Sequence, residues 1–118
     1  MGFLISAHCN CGLEEEDIHL GGGMSSSTTY FGFPCYCETC RTLFEGNLLA
    51  KRQVCRKCRR KSILPYDDER FWKTKGDIIF SRTIEGGIGR EISLTDGKYY
   101  CPACGQFELE FSFDGFWD

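Results

Sequence analysis

An all-β fold of short antiparallel sheets and hairpins, stabilised by bound metal, is the fold class this sequence predicts, on three observations. Nine cysteines stand among 118 residues, and eight of them fall into four close pairs. Apolar and polar residues alternate over short runs, as in Gln106-Phe107-Glu108-Leu109-Glu110-Phe111-Ser112-Phe113, which is the period of a strand with one buried face. No segment carries the longer periodicity of an extended amphipathic helix.

The pairs are Cys9-Asn10-Cys11, Cys37-Glu38-Thr39-Cys40, Cys55-Arg56-Lys57-Cys58 and Cys101-Pro102-Ala103-Cys104. Both sulfurs of one tight turn can point at a single ion, and a second pair closes the tetrahedron from elsewhere. Four pairs therefore supply two four-thiolate sites, with two zinc ions as the expected occupants. Cys35 is left over. Disulfides are the competing use of so many cysteines, and the odd count and close pairing argue against them. The start Met1-Gly2-Phe3-Leu4-Ile5-Ser6-Ala7 has no basic residues before its apolar run, and His8 and Cys9 interrupt that run, so no export signal is expected. A reducing, cytoplasmic setting follows as the expectation. No stretch approaches the roughly 20 apolar residues of a membrane span.

In chain order, Phe3–His8 reads as a strand entering the first cysteine turn and Asp17–Leu20 as the strand leaving it. Gly21-Gly22-Gly23-Met24-Ser25-Ser26-Ser27-Thr28 is a flexible loop, without the Lys and strand–helix setting of a phosphate cradle. Tyr30–Pro34 enters the second turn. Thr42–Val54 runs toward the third, with an irregularity at Gly46-Asn47. Ser62–Tyr66 is extended, and Asp67–Trp72 forms one helical turn capped by Asp67 or Asp68. Asp77–Ile84 is a strand, Glu85-Gly86-Gly87 a turn, and Arg90–Thr95 with Lys98–Tyr100 a hairpin across Asp96-Gly97. In the last strand Phe107, Leu109, Phe111 and Phe113 share one face by alternation, and that face is expected to be core rather than a base-stacking surface.

Two ligand partitions fit these turns. Joining neighbours in order gives Cys9, Cys11, Cys37 and Cys40 as one site and Cys55, Cys58, Cys101 and Cys104 as the other, and this is the preferred scheme. The competing scheme joins Cys37 and Cys40 to Cys55 and Cys58, which obliges Cys9 and Cys11 to meet Cys101 and Cys104 across the whole chain. Loop-closure entropy penalises the longer closure only weakly. His8 and His19 are read as strand residues rather than substitute ligands, and Cys35, beside Pro34, as a buried small residue rather than a reactive thiol.

The paired turns resemble the knuckles of zinc-ribbon proteins, and Cys101-Pro102-Ala103-Cys104-Gly105 is similar to the second knuckle of rubredoxins. Gly12 and Gly105 match the glycine that follows such a knuckle, where positive φ lets backbone N–H groups point at sulfur. Arg41 and Arg59 replace that glycine in the other two pairs, the first pair has one intervening residue instead of two, and the third lacks the proline. The resemblance implies tandem ribbons with structural metal, a first over 1–50 and a second over 51–118 with inserted hairpins, sharing a strand around 42–54. A rubredoxin-like iron electron carrier is the alternative it implies.

Net charge is −3, yet Lys51, Arg52, Arg56, Lys57, Arg59, Arg60 and Lys61 gather seven of the 14 basic residues around the third pair. Zinc bound by four thiolates carries excess negative charge that a few cations offset. Seven exceed that need, so the surplus is expected to face a partner, either protein or nucleic acid phosphate. Complete cysteine quartets leave no open coordination position, and no His-Glu-x-x-His pattern occurs. A non-enzymatic interaction module is therefore the expected class.

Overall fold

The computed structural model describes residues 2–22, 30–50, 54–55, 57–61, 63–74, 76–84 and 91–117. The Gly/Ser loop beyond Gly22, the turn at Glu85-Gly86-Gly87, Ser62, Arg90 and the basic residues Lys51, Arg52 and Arg56 lie outside these. The described chain is all-β, built from small antiparallel sheets and a single 3-10 turn. Among the described residues no helix is long and apolar enough to cross a membrane.

The strands are β1 (Gly2–Cys9), β2 (Glu14–Leu20), β3 (Gly32–Cys37), β4 (Thr42–Asn47), β5 (Ile63–Pro65), β6 (Trp72–Thr74), β7 (Ile78–Thr83), β8 (Glu91–Thr95), β9 (Lys98–Tyr99) and β10 (Leu109–Trp117). They form a five-stranded sheet ordered β2-β1-β10-β9-β6, a three-stranded sheet ordered β4-β3-β5, and the hairpin β7-β8. In β1 the alternate residues Ile5, Ala7 and Cys9 are buried, as a strand with one face on the core requires. All six residues of β3 are buried, because it is the central strand of its sheet.

The first and last thirds of the chain are joined by β1 and β10, paired from Gly2↔Trp117 to Cys9↔Leu109. A bulge between Leu4 and Ile5 leaves Asp114 without a ladder partner on β1, and its carboxylate accepts from the Ser6 hydroxyl instead. The two larger sheets meet at Gly21 and Gly32, which exchange backbone hydrogen bonds of 2.9 and 3.0 Å. Tyr66, fully buried, fills the space between them, with ring centroids 6.3 Å from Tyr36 on β3 and 5.6 Å from Phe111 on β10. Its hydroxyl donates to the Tyr100 carbonyl.

Several sequence expectations hold. The helical turn spans Glu69–Phe71 and Asp68 is its cap, the carboxylate accepting from the Arg70 N–H at 3.0 Å. His8 and His19 are strand residues. The hairpin across Asp96-Gly97 does not form. β8 pairs with β7, whereas β9 pairs with β10 and β6, so Asp96-Gly97 is a corner between sheets. It is pinned there by the Asp96 N–H donating to the Asp77 carbonyl and the Asp77 N–H donating to the Asp96 carboxylate. The aromatic face of the last strand is only partly core: Leu109 and Phe111 are buried, but Phe113 is 47% exposed. Phe113 lies past the point where β10 covers the core, and its ring packs edge-on against Phe3 and Phe116.

Candidate metal centres

Each cysteine pair sits on a tight turn closed by the same backbone bond. The N–H of the residue after the second cysteine donates to the carbonyl of the first: Gly12 to Cys9, Arg41 to Cys37, Arg59 to Cys55 and Gly105 to Cys101, at 2.7 to 3.0 Å. That residue has positive φ in all four turns, +107° and +73° at Gly12 and Gly105 but +54° and +58° at Arg41 and Arg59. The two arginines thus adopt the glycine conformation of the knuckle they depart from in sequence. Backbone N–H groups of Cys40 and Lys57 point at the sulfurs of Cys37 and Cys55, each at 3.4 Å.

The turns meet in two groups, Cys9 with Cys11, Cys101 and Cys104, and Cys37 with Cys40, Cys55 and Cys58, all sulfurs of a group lying within 4.8 Å of one another. This is the competing partition, and the preferred one, which joined neighbouring pairs in order, is corrected. Strand pairing is the reason. β1 against β10 puts Cys9 opposite Leu109, beside the last turn, and β3 between β4 and β5 puts Cys37 opposite both Thr42 and Ile63, beside the third.

Sulfur–sulfur separations are 3.7 Å for Cys9 and Cys104, 3.6 Å for Cys11 and Cys101, 3.7 Å for Cys37 and Cys58 and 3.8 Å for Cys40 and Cys55. A tetrahedron with metal–sulfur bonds of about 2.3 Å has edges of about 3.8 Å. A disulfide would need about 2.05 Å. Both donor sets therefore fit a tetrahedral thiolate metal. Burial raises the free thiols of Cys9, Cys40 and Cys101, while the Leu13 backbone N–H lowers Cys11. Four sulfurs this close cannot all be anionic without a cation among them, so metal uptake releases protons.

The remaining singled-out residues stand apart from the tetrads. His8 contacts Glu14, and His19 donates its backbone N–H to the Glu45 carboxylate, which its ring Nδ1 also meets at 3.0 Å. Cys35 is 1% exposed. Of the basic stretch, Lys57, Arg59, Arg60 and Lys61 are exposed around the third turn. No protein-family model, curated protein or solved structure matches this chain. One feature of the second centre escaped sequence reasoning, an aromatic cleft beside Arg41. Its only signal was the arginine standing where a knuckle glycine was expected.

Proposed function

We propose that the chain is a zinc-binding, non-enzymatic interaction module with two structural four-cysteine sites, whose basic stretch meets nucleic acid or a nucleic-acid-handling complex. The observation that carries this reading is the pair of sulfur tetrads, each within 4.8 Å and each with two sulfur–sulfur separations of thiolate-tetrahedron length. With four protein sulfurs on one ion no position is left for substrate or water, which favours a structural over a catalytic metal. The exposed Lys57, Arg59, Arg60 and Lys61 then serve both to offset the charge of the second centre and to meet an anionic partner.

Elemental analysis and an absorption spectrum of protein purified under reducing conditions test this directly. Two zinc ions per chain and a colourless solution are expected. Iron with a thiolate-to-metal charge-transfer band would replace the module with the electron-carrier reading, and a metal-free folded chain would remove both.

A further inference from the structure

The second metal centre carries strain that its thiolates do not require. A left-handed backbone is strained for an L-residue with a Cβ, and the first centre avoids that strain with Gly12 and Gly105, whereas the second places Arg41 and Arg59 at the equivalent positions. Neutralising a thiolate centre does not demand this, since a cation at an unstrained neighbouring position would do the same. Strain held in place by a surrounding fold marks a position where the side chain is wanted.

Arg41 lines an open cleft of about 450 Å³, within the range of small-ligand sites. Aromatic rings make much of its wall. Tyr36 stands 5.7 Å from Tyr100 and 5.4 Å from Phe71, centroid to centroid. Leu64 of β5 completes the apolar part, and Arg70 with Glu38 the polar part. Arg70 is already engaged by Asp68 at 3.1 Å and Glu38 at 3.9 Å. Among the described residues Arg41 has no carboxylate partner. The cleft thus combines π surface with one uncommitted guanidinium, in a chain whose net charge is negative.

We propose that this cleft holds one nucleotide of a single-stranded nucleic acid, its base on the partly exposed Tyr100 ring, which the buried Tyr36 and Phe71 support from behind, and its phosphate on Arg41. Aromatic walls accept any base face, and a guanidinium pairs with phosphate oxygens. A duplex hides its base faces in the stack, so it is the wrong partner for such walls. A strand fits better than a free nucleotide because the cations continue along the chain. Lys61 precedes Leu64 by three residues in sequence, a reach of at most about 10 Å, and Arg59 and Arg60 lie just before it. This deepens the interaction-module reading and rests on it, since the cleft is walled by the turn that the second metal holds.

The test uses the metal-loaded full chain and fluorescently labelled oligo(dT) and oligo(U), followed by anisotropy against salt concentration. Binding at low salt is expected, with Tyr100→Leu weakening it at least about fivefold, the low end for one stacked base. Arg41→Gly gives the knuckle the residue used at Gly12 and Gly105, so metal content and thermal midpoint should be kept. The slope of log affinity against log salt should fall by about 0.7, the value of one phosphate contact on a single strand. Thymidine monophosphate and a duplex of the same length should each bind more weakly than the strand. A chain that keeps both metals but binds no strand overturns the cleft and leaves the module standing. Strand binding unchanged by both variants places the contact on another surface, and competition by the mononucleotide or the duplex as strong as the strand's assigns the cleft to a different ligand. Loss of metal from the wild-type chain without loss of fold is the separate result that would overturn the module itself.

Discussion

A Cβ added at Gly46 would lie 2.7 Å from the Cys35 sulfur and 3.4 Å from its Cβ, and both residues are buried where β3 and β4 pair. Cys35 is a packing residue: its thiol, pushed up to about 12 by burial, donates to the Phe33 carbonyl at 3.4 Å and belongs to neither tetrad. Gly46→Ala should therefore lower stability by about 1–3 kcal/mol, the usual cost of overpacking, read as a shifted urea midpoint. Cys35→Ala removes the obstructing sulfur, so the double variant should be more stable than the sum of the two single losses. Strict additivity would show that the backbone yields instead. Cys35→Ser should leave metal content unchanged. Proximity of Cys35 to Pro34 was enough to suggest a buried residue, but the need for glycine at 46 was legible only as a strand irregularity.

Strand pairing decides which cysteines are grouped into each tetrad. Cys40→Ser and Cys58→Ser should damage one centre, and Cys11→Ser and Cys104→Ser the other, because β3 with β5 and β1 with β10 bring those turns together. Cobalt substitution with spectroscopy resolved by site would read this, each variant leaving one intact tetrathiolate spectrum. A shared loss for Cys11→Ser and Cys40→Ser would restore the partition by neighbouring pairs. Turn chemistry was legible at Asp68, whose carboxylate caps the only helical turn among the described residues, and at the four knuckles. It misled at Asp96-Gly97, since residues suited to positive φ specify a local bend without naming the strand that follows as a partner. β8 found β7, with Phe80, Ile92 and Leu94 buried across that hairpin.

For the molecule as a whole, the expectation is that metal in the two tetrads and the packed core depend on one another. The two larger sheets touch through Tyr66 and the Gly21–Gly32 bridge, and each holds one sulfur tetrad at the end of an interior strand, β1 or β3. Structural zinc sites contribute apparent binding energies of about 10–16 kcal/mol, as large as the whole stability of a typical domain, about 5–15 kcal/mol. Stripping the metals under reducing conditions should therefore abolish the near-UV circular dichroism of the packed tyrosines and the thermal transition together. A chelated chain that keeps both would show that the β core stands alone. Acidification should act in the same direction, because protons compete with metal for the thiolates and affinity falls as pH falls.

The sequence by itself determined the eight candidate ligand cysteines, the all-β class and the knuckle turns, because pair spacing, strand alternation and turn residues are properties of adjacent positions. Only the tertiary structure decided how the ligands divide and that Arg41 closes an aromatic cleft with Tyr36 and Tyr100. Closing a loop costs only about 0.6 kcal/mol more for each doubling of its length, so spacing cannot choose between a near and a distant partner. The long β1–β10 ladder can, and it binds the first knuckle to the last.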